Sequence, residues 1–209
     1  RSKSPVPQCS RGAYSHRTEL DQLGQLAKRC EIARLSNKVA IVTGAGTRSA
    51  STAGVGVATA KNFASHGAKV LLVDMDEGAA RTTEQAITAD GGEASIFVAD
   101  VVDEASCKAL VDAAVERYGR LDILMNSVGI GGAGSVTEVT QETWDRVLDV
   151  DLKSMVFISK YAVPEMIKTG GGSIINVSSV DGIRAGMTKN ISYNAAKGGM
   201  ITVTMAMAV

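Results

Sequence analysis

Residues Val39–Gly46 read VAIVTGAG, and this stretch decides how the rest of the chain folds. Its first part is apolar and largely β-branched, and it is stopped by Thr43 and two glycines. A short continuous apolar run is typical of a strand buried on both faces, as in a parallel sheet. A polar segment follows, and Gly54-Val55-Gly56 then opens a predicted helix. The unit is therefore a strand, a glycine-rich loop and a helix.

The same alternation of strand and helix continues along the chain. Further strands are predicted at 69–73, 94–99, 121–125 and 173–177. Helices are predicted at 54–64, 78–89, 104–118 and 141–168, the last interrupted near Pro164, and from 192 onward. Strands that alternate with helices form a parallel sheet. The sequence therefore predicts an α/β fold, a doubly wound parallel sheet with helices on both faces.

Polar and glycine-rich positions fall directly after the predicted strands. Right-handed crossovers bring the carboxyl ends of parallel strands to one edge of the sheet, where ligands of such folds bind. The positions at that edge are the 43–56 loop, Asp74, Asp100, Asn126 and Ser179. We expect the binding site to lie there.

The first of these positions suit a dinucleotide. Glycines between a strand and its helix let the backbone approach a pyrophosphate, and the helix N-terminus supplies N–H donors. Asp74 ends the second strand, where a carboxylate can accept both ribose hydroxyls of adenosine and repel a 2′-phosphate. This predicts NAD rather than NADP. Arg48 and Arg81 could instead reach a 2′-phosphate, and an ordinary glycine turn followed by a surface aspartate is the alternative.

Tyr193 and Lys197 lie four residues apart and share one face of a helix. An ammonium at that distance favours the phenolate form of a tyrosine. The hydroxyl of Ser179, just after a strand, could bind the oxygen that is being reduced or oxidised. Together these groups could move a proton on and off a C–O group. The alternative is that Tyr193 and Lys197 simply lie on an exposed face of the helix.

Composition excludes several classes of function. The 209 residues carry 22 basic and 22 acidic side chains, so no net field attracts nucleic acid or an anionic membrane. No apolar run is long enough to span a bilayer. Three distant cysteines argue against a disulfide framework and fit a reducing compartment such as the cytoplasm. With two histidines and no ligand-spaced pair, we expect no metal site.

Residues 1–36 differ from the rest and are predicted to be an N-terminal extension to a domain at 37–209. The first residue is Arg, and 1–17 carries four basic residues and no acid. This composition fits an organellar leader, a tag or a disordered tail. Helical spacing of apolar residues from Leu20 to Ala33 predicts an amphipathic helix.

With these pieces in place, residues 38–209 resemble the classical short-chain dehydrogenase/reductase family, which has a Rossmann-like fold. The matching motifs come in the family's order: Thr43-Gly44-Ala45-Gly46 with Gly54-Val55-Gly56, Asp100-Val101, Asn126-Ser127-Val128-Gly129, Ser179, and Tyr193 with Lys197. The resemblance implies hydride transfer between nicotinamide and a small alcohol or carbonyl substrate. It also implies a homodimer or homotetramer.

The resemblance assigns roles to these residues. Tyr193 would be the general acid/base, Ser179 would orient the substrate oxygen, and Lys197 would hold the nicotinamide ribose. The cofactor would be held by Gly44, Gly46, Gly54, Gly56, Asp74, Asp100, Val101, Asn126, Gly129 and Lys197.

Four departures from the family pattern bear on function. The glycine loop is longer by about six residues, and Ser127-Val128 replaces the usual Asn-Ala. Asp151 stands where the family has an Asn that takes part in the proton relay. The chain also stops twelve residues after Lys197, so we expect the domain to be incomplete at its C-terminal end. A nucleotide-binding but catalytically weak relative is the alternative function.

Overall fold

The structure is a computed structural model that describes residues 33–49, 51–184 and 189–209. Most of the predicted N-terminal extension, residues 1–32, therefore lies outside the described residues. Residues Leu35–Val209 form one compact unit. No helix in the described ranges is long and apolar enough to cross a membrane.

Five strands form one parallel sheet in the order β3-β2-β1-β4-β5. The strands are β1 Val39–Thr43, β2 Lys69–Asp74, β3 Glu93–Val98, β4 Ile123–Asn126 and β5 Ser173–Asn176. The helices are α1 Val55–Ser65, α2 Glu77–Ala89, α3 Glu104–Tyr118, α4 Gln141–Leu148, α5 Ser154–Lys168 and α6 Ile191–Met207. The predicted α/β fold, a Rossmann-like doubly wound sheet, is confirmed.

Buried apolar side chains cover both faces of the sheet. On β1 and β2, Ile41, Leu71 and Val73 pack in one cluster with residues of α3 and α5. Their neighbours Val42, Val70 and Leu72 point the other way and pack with residues of α1 and α2. Alternate side chains of a strand face opposite sides, so a strand covered on both sides must be apolar throughout. This is why the continuous run in β1 predicts a parallel sheet correctly.

The predicted interruption near Pro164 is wrong. Pro164 lies inside α5, on its exposed side, where the carbonyl that loses its N–H partner can face water. The helix is interrupted instead by a π-helical turn at Asp149–Lys153, between α4 and α5. Such turns are rare and occur often at functional sites. This one carries the buried side chain of Asp151.

Asp122 organises the amino-terminal edge of the sheet. Its carboxylate accepts hydrogen bonds from the Val39 N–H at 3.0 Å, from Lys38 at 3.0 Å, and from two nitrogens of Arg120 at 2.6 and 2.8 Å. These contacts tie the start of β1 to the start of β4. Burial opposes ionisation, but the donors outweigh it and hold the pKa of Asp122 below its ordinary value.

Candidate active site

Two cavities, each of about 400 Å³, open at the carboxyl-terminal edge of the sheet. They adjoin, because Ser127, Gly129 and Ile130 lie in the walls of both. The Asp74 cavity is also lined by Gly44, Arg48, Asp74, Asp100 and Val101. The Tyr193 cavity is also lined by Val55, Val177, Ser178, Asn190, Tyr193 and Lys197. The fold thus brings part of the predicted nucleotide set, together with Tyr193 and Lys197, to two adjoining cavities, which we call the cleft.

The glycine loop after β1 is packed too closely for side chains. Gly44 has a φ of 63°, in the left-handed region that favours glycine. A Cβ on Gly56 would lie 2.3 Å from the Gly44 carbonyl oxygen, closer than any real contact. Glycine at both positions lets the start of α1 lie against the end of β1.

The N-terminus of α1 is left open, unlike those of the three helices that follow it. Helices α2, α3 and α4 are capped by the side chains of Asp76, Asp103 and Thr140, and each has an acid in its first turn. Helix α1 begins after Gly54, with no side-chain cap and no acid. A Cβ at Gly54 would meet nothing within 4 Å. The free N–H groups and the helix dipole there favour an anion.

Asp74 lines its cavity with a side chain that is only 1% exposed. One carboxylate oxygen accepts the Gly46 N–H at 2.8 Å. The other accepts the Asp76 N–H at 3.0 Å and pairs with the guanidinium of Arg48. Arg81 instead pairs with Glu77 and Glu84 along α2. Of the two arginines considered from sequence, Arg48 is the one that lines the cavity.

Lys197 is the centre of the other end of the cleft. Its Nζ lies 5.5 Å from the centre of the Tyr193 ring and donates to the Val177 carbonyl at 3.1 Å. It also forms an ion pair of 3.3 Å with Asp151 Oδ2. The two charged side chains are 4% and 0% exposed, so this pair is almost fully buried.

Asp151 supports the wall of the cleft from behind. Its Oδ1 accepts the Ile130 N–H at 2.7 Å. Burial raises the pKa of Asp151, and the Ile130 hydrogen bond and Lys197 charge offset only part of that effect. The residue does not line either cavity. Its described contacts with residues that line the cleft are those with Lys197 and Ile130.

Comparison with known proteins decides the family. The family model described as short chain dehydrogenase matches residues 38–209. The chain belongs to the short-chain dehydrogenase family. The resemblance inferred from the motifs is thereby confirmed.

Two curated relatives illustrate the likeness. The chain is 42% identical over 177 residues to the oxidoreductase YxbG of Bacillus subtilis. The aligned segment covers 84% of this chain and 62% of the relative. It is 37% identical to meso-2,3-butanediol dehydrogenase of Serratia marcescens over 84% of this chain and 66% of the relative. The chain thus spans just under two thirds of the length of these relatives.

Solved structures of short-chain dehydrogenases share the fold. A short chain dehydrogenase from Mycobacterium smegmatis matches with a TM-score of 0.77 at 35% identity, over 83% of this chain and 71% of that chain. An NAD⁺-bound xylitol dehydrogenase matches with a TM-score of 0.77 at 30% identity, over 84% of this chain and 65% of that chain.

The adjacent serines of this family member are placed differently from the sequence expectation. Ser179 accepts the Asp181 N–H at 3.2 Å and does not line the Tyr193 cavity. Ser178 lines that cavity, and its hydroxyl donates to the Lys197 carbonyl at 2.8 Å. The structure therefore brings Tyr193 and Lys197 together with Ser178, the other serine of the pair.

Asn126 also lies behind the cleft rather than in it. Its buried amide donates to Asn176 Oδ1 at 2.8 Å, and Asn176 donates to Thr204 at 3.0 Å, which links β4, β5 and α6. Conversely, Arg146 and Val150 line the Asp74 cavity although sequence reasoning did not select them. These two residues are four positions apart and share one face of the helix that leads to Asp151, and this spacing could have identified them.

Proposed function

We propose that this protein is an oxidoreductase that transfers a hydride between a nicotinamide dinucleotide and a small alcohol or ketone. The observation that carries the proposal is the pair of adjoining cavities, one lined by Asp74 and the other by Tyr193. An elongated dinucleotide has its adenosine and nicotinamide at opposite ends, so this arrangement fits it. The names of relatives that act on butanediol and xylitol support an alcohol substrate.

The residues present fit such a cofactor along the whole cleft. The uncapped N-terminus of α1 suits the pyrophosphate, and Asp74 with Asp100 and Val101 suits the adenosine. An ammonium has three donors, and Lys197 uses one on the Val177 carbonyl and forms an ion pair with Asp151. The third can hold a ribose hydroxyl at the nicotinamide end. When bound, the cofactor supplies or accepts the hydride.

The proton of the reaction would be handled by Tyr193. Its phenol would donate to the substrate oxygen on reduction and accept the alcohol proton on oxidation. The nearby Lys197 ammonium stabilises the charged form that this exchange creates. Ser179 would orient the substrate oxygen, and the position of Ser178 in the cavity wall makes its hydroxyl a second candidate for that role.

NAD is the cofactor that the Asp74 cavity favours. A carboxylate that is 1% exposed repels a 2′-phosphate in the position where it would accept ribose hydroxyls. Arg48 opposes this preference, because its side chain is 56% exposed and could turn from Asp74 to a phosphate. The NAD⁺-bound relative supports the same choice.

Calorimetric titration with NADH and NADPH tests the proposal. We expect micromolar NADH binding and weaker NADPH binding. Asp74→Ala should weaken NADH binding, whereas Asp90→Ala, an exposed aspartate at the end of α2, is the matched control and should not. Binding of neither nucleotide by a folded chain would contradict the proposal.

A second function has specific support. The chain could bind the nucleotide with little turnover, because Lys197 is paired with Asp151 and the Ser179 hydroxyl faces the Asp181 backbone. NADH binding without turnover on any of a panel of alcohols and ketones would select this function. Measurable turnover with one of them would select the oxidoreductase.

A further inference from the structure

The proposed hydride transfer assigns no role of its own to the buried aspartate beside Lys197. Asp151 stands in the π-helical turn where the family resemblance leads us to expect Asn. Its carboxylate has two partners, the Ile130 N–H at 2.7 Å and the Lys197 ammonium at 3.3 Å. Burying a carboxylate charge is unfavourable, and the cationic partner of this one is Lys197.

We propose that Asp151 is a positioning residue that acts through Lys197, holding its ammonium in place and cancelling part of the positive charge that Tyr193 experiences. The active site then works at higher pH than it would with a neutral side chain at this position. The proposal rests on the proposed function, in which Tyr193 exchanges the proton.

The geometry makes Lys197 the intermediary. Its Nζ is 3.3 Å from the Asp151 carboxylate and 5.5 Å from the centre of the Tyr193 ring. The Val177 carbonyl fixes the same ammonium from a third direction at 3.1 Å. Asp151 lines neither cavity, so it cannot contact the substrate itself.

The other charges on the elements packed against α6 are at least partly exposed and are screened by solvent. Four of them form two ion pairs, Asp149 with Lys153 at 2.6 Å and Glu138 with Lys189 at 3.0 Å. The remaining charged side chains on these elements are Glu142, Asp145, Arg146 and Asp181. Asp151 is the fully buried charge among those described here, so its influence on Lys197 is the least screened.

The sign of the effect follows from the order of ionisation. A carboxyl and a phenol ordinarily lose their protons about six pH units apart. Burial raises the pKa of Asp151, and the ordinary gap of about six pH units between a carboxyl and a phenol leaves room for that rise. The negative charge is therefore present throughout the ionisation of Tyr193 and opposes it.

The test follows phenolate formation by ultraviolet difference absorbance in the protein without cofactor. The Tyr193 contribution is the difference between the parent chain and Tyr193→Phe. In Asp151→Asn we expect Tyr193 to ionise about one pH unit lower, the size of effect that one close charge produces. Asp149→Asn removes the same charge from the same turn. The Asp149 side chain is 38% exposed, so this variant should shift the ionisation of Tyr193 far less.

A double-mutant cycle shows whether the effect passes through Lys197. The repulsion by the Asp151 charge acts through space, so Asp151→Asn should lower the ionisation midpoint of Tyr193 in a Lys197→Gln background as well as in the parent background. A smaller shift in the parent background would show that displacement of the ammonium offsets part of the effect, and no shift in either background would overturn the proposal. If Asp151→Asn does not fold, Asp151→Ser provides the same loss of charge.

The measurement also separates this proposal from the proposed function. It needs neither cofactor nor substrate, so a chain that binds no NADH still reports the coupling. Where a substrate turns over, the pH profile of kcat should shift in Asp151→Asn by the same amount as the absorbance midpoint. A variant that loses activity with an unchanged midpoint would assign Asp151 a structural role only.

Discussion

Two buried aspartates at opposite edges of the sheet have opposite surroundings. Asp122, at the amino-terminal edge, is bound by Lys38, Arg120 and a backbone N–H, and its side chain is 4% exposed. Asp151, at the carboxyl-terminal edge, has one backbone N–H and one lysine, and its side chain is fully buried.

The difference shows what each edge is built for. Burial opposes ionisation in both aspartates, but the donors around Asp122 lower its pKa and those around Asp151 leave its pKa raised. A fully satisfied carboxylate stabilises the sheet. An under-satisfied one, placed against the cleft, is held in place by the fold and remains able to influence Lys197.

The largest expected effect is a loss of turnover with no loss of stability. Tyr193→Phe removes only the proton donor, so turnover should fall about a thousandfold while NADH affinity and the melting temperature stay nearly unchanged. Steady-state kinetics and calorimetry measure this. Tyr161→Phe is the control, because that hydroxyl donates to Glu104 away from the cleft and its loss should leave turnover intact. An equal loss of turnover in Tyr193→Phe and Tyr161→Phe would contradict the role assigned to Tyr193.

Asp122→Asn should show the opposite pattern. It replaces acceptors of charged hydrogen bonds from Lys38 and Arg120, so we expect a loss of about 2–3 kcal/mol in the free energy of unfolding at pH 7. Affinity for NADH should not change, since Asp122 lies at the far edge of the sheet. Urea denaturation tests this, with the exposed Asp90→Asn as control. A stability equal to that of the control would mean that the edge contacts contribute nothing.

Within the cleft, Asp74 and Arg48 provide a finer comparison. Asp74→Ala should weaken NADH binding about tenfold and reduce the preference for NADH over NADPH, because the hydroxyl acceptor and the repelling charge are both lost. Arg48→Ala should weaken NADPH binding alone, whereas Arg81→Ala, paired along α2, should change neither. Calorimetry with each nucleotide measures these effects. An unchanged preference in Asp74→Ala would move the ribose contact elsewhere.

The smallest effect is a difference in pH dependence between the two aspartates. The pKa of Asp122 is lowered on folding, so its contribution to stability is present above its unfolded pKa and lost as pH falls through the folded one. The pKa of Asp151 is raised, so its contribution is present below the unfolded pKa and lost as pH rises through the folded one.

The advantage of the parent chain over Asp122→Asn should therefore grow from pH 3 to pH 7. Its stability relative to Asp151→Asn should decline over the same interval. Denaturation curves at a series of pH values measure both differences. Parallel trends in the two variants would remove the contrast between the two edges.

Much of the fold could be predicted from the sequence because its signals are local. Apolar β-branched runs bounded by glycine located the strands, and helical spacing located the helices. The predicted interruption near Pro164 was wrong because the effect of a proline on a helix depends on whether the affected carbonyl faces water, and packing decides this. The π-helical turn at Asp149–Lys153 has no local signal of comparable strength.

For the site, motif order was sufficient to select Gly44, Asp74, Tyr193 and Lys197, which line the cleft. It could not distinguish Ser178 from Ser179, since rotation about the backbone decides which adjacent hydroxyl faces the cavity.

The sequence by itself determined the order of strands and helices, the family and the residues at the carboxyl edge, because these follow from local periodicity and motif spacing. Tertiary structure alone decided which charges meet. Arg48 pairs with Asp74 and Lys197 with Asp151 across 26 and 46 positions of the chain. The strength of such pairs depends on burial and distance, which exist only once the chain has folded.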